Sequence, residues 1–327
     1  MPQIAVENLV KTYRVSERQS GTLGAFAGLF HRKTRVIHAL EGISFSLEQG
    51  ELVGYIGPNG AGKSTTVKTL SGILVPDSGR CEVMGLVPWR SRVQYVRRIG
   101  VVFGQRTQLW WDLPVIETFE LLRDIYTVPD REYRTALNEL VTLLSLEPIL
   151  NIPARQLSLG QRMRCDIAAA LLHSPEILFL DEPSIGLDAV SKLAVREFIK
   201  RLNRDRGVTI ILTTHDMDDI EALCTRVIVI GEGRILSDGP LETLRMNVTP
   251  ERWLILDLAD SDVQIEDPDV RIIEREAGRV SLAFDPAVVS TADLIARLAA
   301  RYRVKDLFVQ NPPIEEIIAR MYGARGQ

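Results

Sequence analysis

No apolar run in this sequence is long enough to cross a bilayer; stretches such as Val208-Thr209-Ile210-Ile211-Leu212 have the length of a buried strand. Cysteine is scarce. The three residues Cys81, Cys165 and Cys224 lie far apart with no CxxC pair. That excludes a disulfide framework or a cysteine zinc site and suits reduced thiols. Neither sign of charge dominates: 39 Lys+Arg against 43 Asp+Glu leave a net charge of −4, no electrostatic basis for wrapping nucleic acid. No nucleic-acid partner is therefore expected. The N-terminus, Met1 to Glu7, lacks a basic segment followed by an apolar one, so it predicts an edge strand and not a signal peptide. There is no internal repeat or low-complexity tract. Any role at a membrane is expected from the cytosolic side, through a partner.

What is present is an ordinary globular composition, 46% hydrophobic and 25% charged over 327 residues, enough for one large or two modest domains. From Ile4 to about Leu244 short β-rich runs alternate with helical stretches. Leu52–Ile56, Ile99–Phe103, Ile177–Leu180, Val208–Thr213 and Val227–Ile230 predict parallel strands covered on both faces. Between about Val115 and Leu150 a helical block interrupts this rhythm, and an all-helical insertion is expected over about 106–175. After Leu244 the pattern changes. Trp253–Leu258, Val270–Arg275, Val280–Phe284 and Leu307–Val309 predict strands, with helices at Leu294–Tyr302 and Ile314–Met321. The boundary is placed between residues 1–249 and a small α+β domain, 250–327.

The most informative segment is Gly57-Pro58-Asn59-Gly60-Ala61-Gly62-Lys63-Ser64-Thr65. An apolar strand runs into it and a helical pattern runs out. Strand, glycine loop and helix point backbone N–H groups and a helix N-terminus at a polyphosphate. Glycines let the main chain curl where a Cβ would clash. Lys63 offers a point charge to the β- and γ-phosphates, and Ser64 a hydroxyl for Mg²⁺. The motif predicts a nucleoside triphosphate site.

Leu178-Phe179-Leu180-Asp181-Glu182-Pro183 sets two carboxylates at the C-terminal end of a buried strand, where ligands meet a parallel sheet. Asp181 is placed to hold Mg²⁺ through water, and Glu182 to act as base for an attacking water. Leu157-Ser158-Leu159-Gly160-Gln161 precedes an apolar-striped helix, with Ser158 a good N-cap. Alone, that pentapeptide is either a capped helix start or a second anion site. If it is an anion site, two copies of the chain share each nucleotide, because one chain already has its own phosphate loop.

With these motifs in order, residues from about 4 to 244 resemble the nucleotide-binding subunit of an ATP-binding cassette (ABC) transporter. The resemblance implies an α/β P-loop NTPase core with a helical subdomain inserted, followed here by the small C-terminal α+β domain. Gly57–Thr65 resembles the Walker A motif, Asp181 and Glu182 resemble Walker B and its catalytic glutamate, and Ser158, Gly160 and Gln161 the family signature. Ser184-Ile185-Gly186-Leu187-Asp188 resembles the D-loop and His215 the switch histidine. Tyr13, after Lys11-Thr12, resembles the aromatic that stacks on adenine. Gln105 resembles the Q-loop glutamine that senses Mg²⁺, with Gln108 a nearby rival. By this resemblance Glu182, His215 and Lys63 are catalytic. ATP and Mg²⁺ are the cofactors, and Ser64, Gln105 and Asp181 surround the metal. Two departures stand out: Leu159 where the signature usually has glycine, and Gly186 where the D-loop often has alanine.

The insertion from Val15 to about Val36 carries Leu23, Phe26, Leu29 and Phe30 ahead of His31-Arg32-Lys33. Either it docks on a permease or the bilayer surface, or it packs on the chain's own sheet. Similar insertions occur in ABC subunits that export surface polysaccharide. Phe103-Gly104-Gln105-Arg106, Trp110-Trp111-Asp112 and Pro313-Ile314-Glu315-Glu316 are more similar to the two-component multidrug exporters. The resemblance implies a head-to-tail homodimer on the cytoplasmic face of the cell membrane, coupled to a separate integral-membrane permease and exporting drugs or other amphipathic compounds. Export of a lipid-linked polysaccharide, or a non-transport ABC ATPase, are the alternatives.

Overall fold

The computed structural model describes residues 2–16, 34–104, 106–260 and 264–323. Gln105 and most of the 15–36 insertion, including Leu23, Phe26, Leu29, Phe30, His31, Arg32 and Lys33, lie outside the described residues. The chain divides into two compact units, Met1–Pro240 and Leu241–Gln327.

The first unit opens with two long antiparallel strands, β1 (Ile4–Ser16) and β2 (Thr34–Leu47). Strand β3 (Leu52–Ile56) leads through the glycine loop into helix α1 (Lys63–Leu70). After β4 (Ser78–Val83), the short helix α2 (Arg92–Val96) and β5 (Ile99–Phe103) comes the helical block. It holds α3 (Val115–Tyr126), α4 (Asp130–Leu143) and α5 (Leu159–Leu171). The chain then returns to the sheet as β6 (Ile177–Asp181), α6 (Ala189–Arg206), β7 (Thr209–Thr213), α7 (Met217–Leu223), β8 (Arg226–Gly231) and β9 (Arg234–Pro240).

The main sheet has six strands in the order β5-β6-β7-β3-β8-β9, parallel except for β9. Every residue of β3 and β7 is buried, as near-continuous apolar runs predict for strands covered on both faces. The order makes β6, β7 and β3 immediate neighbours, so the loops at their C-terminal ends emerge side by side. A smaller antiparallel sheet runs β2-β1-β4. The first strand was expected at an edge; it is central, flanked by β2 and by β4 about seventy residues away. Local composition carries no signal for a pairing of that range. Ile4, Val6, Leu9, Leu40 and Ile43 from this sheet share one core with Val53, Tyr55, Val67, Leu70, Phe179 and Ile228. Each fully buried side chain of this size contributes about 1.5–3 kcal/mol of transfer free energy.

The second unit starts with helix α8 (Leu241–Val248), ahead of the boundary expected at residue 250. Strands β10 (Arg252–Leu258), β11 (Val270–Glu276), β12 (Arg279–Phe284) and β13 (Val304–Gln310) form an antiparallel sheet in the order β11-β12-β10-β13. Ala277 and Gly278, both at positive φ, make the two-residue turn between β11 and β12. Leu254, Leu256 and Leu258 alternate inward and pack with Leu294 and Leu298 of helix α9 (Thr291–Arg301). Helix α10 (Ile314–Gly323) lies against α8. Among the described residues no helix is long and apolar enough to cross a membrane.

Candidate functional site

The glycine loop leaves β3 under tight steric control. A Cβ on Gly57 would stand 2.2 Å from the Ile230 carbonyl oxygen, and Gly62 holds φ +111° with the Ala39 carbonyl 2.5 Å from where a Cβ would be. Only glycine fits either place. Pro58, Asn59 and Gly60 are exposed, Ala61 and Lys63 are buried, and Ser64 and Thr65 are intermediate. No side chain caps α1, whose N-terminus opens onto this loop. Lys63 Nζ donates to the carbonyls of Gly57 at 2.6 Å and Pro58 at 3.0 Å, closing the loop on its own backbone. Burial lowers the Lys63 pKa, and the charges of Glu182 and Asp181 oppose that shift.

The three adjacent strand ends bring the chemistry together. Ser64 Oγ donates to Asp181 Oδ1 at 3.4 Å, and Thr213 Oγ1 at the end of β7 donates to the same oxygen. Glu182 Oε1 lies 2.6 Å from His215 Nε2, so the residues that resemble the hydrolytic base and the switch histidine meet directly. Glu182 also adopts φ +58°, a left-handed conformation that a non-glycine residue holds only when its surroundings enforce it. Its N–H donates to the Thr213 carbonyl at 2.9 Å, and a Cβ on Gly104 would stand 2.0 Å from its carbonyl oxygen.

Several side chains that sequence reasoning did not single out hold this cluster. Asp219 on α7, almost fully buried, accepts from Ser184 Oγ, from Arg196 Nε and, at 3.4 Å, from Thr214 Oγ1. Asp216 pairs with Lys192 and Arg196. His215 thus sits between two residues, Thr214 and Asp216, tied into one network with α6. In the sequence these acids read as the ordinary first turn of a helix, and nothing in their spacing names Arg196 as partner.

The second helix N-terminus is built as expected. Ser158 Oγ accepts from the Gln161 N–H at 3.2 Å and Gln161 Oε1 accepts from the Ser158 N–H at 2.9 Å, a reciprocal capping box. The Gln161 side chain is thereby committed to the cap. Gly160 is buried, and a Cβ there would lie 2.7 Å from Ser191 Oγ. The two departures from the family pattern touch each other: a Cβ on Gly186, at φ +68°, would lie 2.6 Å from Leu159 Cδ2. A larger residue on the helix faces a smaller one on the turn.

Tyr13 is half-buried on β1, opposite Ile37. The chain beside it is pinned by Asp77, which accepts from the Thr12 N–H at 2.6 Å, Thr12 Oγ1 at 2.8 Å and Lys11 Nζ at 2.9 Å. The Lys11 and Thr12 donors bring the Asp77 pKa down to about 2. Gln108, the rival to Gln105, is spoken for: its Nε2 donates to the Asp166 carbonyl at 2.7 Å. Ser64 and Asp181 present the hard oxygen ligands that Mg²⁺ takes. Among the described residues no cluster of three or more His, Cys, Asp or Glu side chains is arranged to hold a metal by itself. That donor set fits an ion whose coordination is completed by a nucleotide's phosphates and water.

Comparison with known proteins agrees with this geometry. The family model of the ABC transporter domain matches residues 40–185. The chain is 34% identical over 215 residues to the ABC transporter ATP-binding protein NatA of Bacillus subtilis, 66% of this chain and 87% of that protein. It is 31% identical over 295 residues to the linearmycin resistance ATP-binding protein LnrL of the same organism, 87% of this chain and 93% of that protein. The daunorubicin resistance ATP-binding protein DrrA3 of Streptomyces coeruleorubidus is 32% identical over 262 residues, 80% of this chain and 77% of that protein. Among solved structures, a dimeric ATP-binding cassette in a post-hydrolysis state, bound to ADP and Pi, aligns with TM-score 0.61 at 27% identity, covering 73% of this chain and 98% of that one. An ATP-binding subunit of an ABC transporter aligns with TM-score 0.63 at 26% identity, covering 75% and 92%. The fold and site define a P-loop ATPase. The chain belongs to the ATP-binding subunits of ABC transporters.

Proposed function

We propose that this ATPase drives an exporter of drugs or other amphipathic compounds, as one of two identical subunits bound to a separate integral-membrane permease at the cytoplasmic face. The carrying observation is that the likeness to a linearmycin resistance protein spans 87% of this chain and 93% of that protein, well past the cassette itself. A cavity of about 240 Å³ supports the permease contact. It is lined by Ile73, Val96, Arg106, Gln108 and Tyr126, between the sheet and the helical block. Trp110 and Trp111, just past it in sequence, are both exposed.

Each ATP would be held by Gly57–Thr65 of one copy and by Ser158, Gly160 and Gln161 of the other, with Tyr13 against adenine. A second copy is favoured by the dimeric cassettes among the structural relatives. Ser158 is exposed at a helix N-terminus, where an anion is favoured. Mg²⁺ at Ser64 and Asp181 would supply charge neutralisation on the phosphates, and Gln105 is its third partner by the family resemblance alone. Lys63 turns its ammonium to the β- and γ-phosphates, Glu182 accepts a proton from the attacking water, and His215 contacts the γ-phosphate. The second unit, from residue 241, is read as an accessory domain that braces the pair.

Glu182→Gln keeps the shape of the base and removes its proton affinity, so hydrolysis should fall by about 10²–10⁴ while ATP binding persists. Cells whose only copy carries Glu182→Gln should become sensitive to amphipathic antibiotics. Loss of a surface polysaccharide with unchanged drug tolerance would replace this reading with glycan export.

A further inference from the structure

Helix α5 is striped with apolar residues, yet Asp166 lies inside it with 4% of its surface exposed and no ion-pair partner among the described residues. A buried carboxylate without an opposite charge is costly unless hydrogen bonds satisfy it. Arg162, one turn earlier on the same helix, makes no ion pair with it; its guanidinium stands 5.4 Å from the Trp111 ring centroid. What satisfies Asp166 is the loop after β5. Oδ1 accepts from Thr107 Oγ1 and from the Gln108 N–H, both at 2.9 Å. The Asp166 carbonyl takes Gln108 Nε2 at 2.7 Å, and Thr107 Oγ1 in turn accepts from the Leu109 N–H at 3.1 Å. One residue thus holds the loop by its side chain and its backbone together.

The other end of the same loop is fastened to the hydrolytic pair. The Gly104 N–H donates to the Asp181 carbonyl at 2.7 Å, and Gly104 approaches the Glu182 carbonyl so closely that any Cβ would collide with it at 2.0 Å. Between these ends, the Arg106 N–H turns back onto the Phe103 carbonyl at 3.0 Å. Gly104 at one end and Thr107 and Gln108 at the other thus make a strap between the backbone of Asp181 and Glu182 and the middle of α5; Gln105, between them, lies outside the described residues. Two turns before Asp166 that helix begins with Ser158–Gln161.

We propose that Asp166 is a positioning residue for ATP hydrolysis, anchoring this strap to α5 so that the helix N-terminus and the Glu182 backbone are held in fixed register. Glu182, at φ +58°, is met on two sides: its N–H donates to the Thr213 carbonyl on β7, and its carbonyl lies against Gly104 at the end of the strap. Loosening the anchor frees Gly104 to move, and with it the carboxylate that must meet the attacking water. The inference rests on Glu182 as the base, and on nothing about the transported compound.

The test compares Asp166→Ala, Asp166→Asn and Thr107→Val in the purified full-length chain, by steady-state ATP hydrolysis, equilibrium ATP binding and thermal unfolding. Asparagine keeps an acceptor oxygen for Thr107 and Gln108; alanine keeps none. Asp166→Ala should lower kcat about tenfold and leave the Kd for ATP within about twofold, a loss confined to the transition state. Asp166→Asn should recover kcat to within about threefold of wild type, and Thr107→Val should fall between the two. Wild-type kcat in Asp166→Ala would overturn the proposal. So would an Asn variant as impaired as the Ala variant, with ATP affinity and thermal midpoint falling together, because that is a packing role. If the alanine variant does not fold, an unchanged kcat in Thr107→Val overturns it instead. Undiminished hydrolysis by Glu182→Gln would instead remove the base assignment on which the inference rests, an outcome the Asp166 and Thr107 variants do not produce, which separates the two failures.

Discussion

At the scale of single residues, the buried acid on α5 has a consequence for stability as well as for turnover. Burial pushes the Asp166 pKa up to about 6, against the hydrogen bonds from Gln108 and Thr107 and the more distant charge of Arg162. An unfolded aspartate titrates near 3.9. The folded state therefore binds this proton more tightly, and the unfolded state binds fewer protons between about pH 4 and pH 6. Stability from this group falls as pH rises through that window and is level beyond it. Asp166→Asn removes the titration. The urea midpoint of wild type minus that of Asp166→Asn should thus be larger at about pH 4.5 than at about pH 7. A difference that is constant, or that grows with pH, contradicts the burial argument.

The elements were legible in the sequence where hydrophobic runs and caps are local. β3, β5, β6, β7 and β8 fall on the apolar runs, and Ser158 caps α5 as its type and position require. The P-loop could be read because backbone approach to phosphate demands glycine at fixed spacing. What could not be read is what depends on partners distant in sequence: β1 as a central strand, Asp219 with Arg196, and Asp166 with Thr107. The second unit begins at Leu241, ahead of residue 250, because α8 packs with α10, a partner distant in sequence. The clearest example is Leu159 with Gly186. Each was visible as a departure, but only the fold shows that they face each other across α5 and the turn before α6. Gly186→Ala should destabilise by about 1–3 kcal/mol, through a left-handed alanine and the collision with Leu159. Adding Leu159→Ala should relieve the collision and not the backbone strain, giving a coupling of at least about 0.5 kcal/mol in a double-mutant cycle by urea unfolding. Additive effects would mean the two positions do not interlock.

At the scale of the whole molecule, the structure sets two helix N-termini of different build in one chain, that of α1 uncapped by a side chain and that of α5 closed by a capping box. Lys63, Ser64, Asp181, Glu182 and His215 converge where β3, β6 and β7 end, while Ser158 and Gln161 spend their hydrogen bonds on each other. The central claim is that these belong to different ATP molecules in a pair of identical chains. The most direct measurement is the molar mass in solution of the Glu182→Gln chain with ATP, alone and carrying Ser158→Arg. Arginine at that exposed cap places bulk where the partner's nucleotide would sit and leaves the chain's own loop untouched. Glu182→Gln should become a dimer on adding ATP. The double variant should stay monomeric while binding ATP with affinity within about threefold of the single variant. Loss of ATP binding by the monomer, or an ATP-dependent dimer that survives Ser158→Arg, would contradict the shared site.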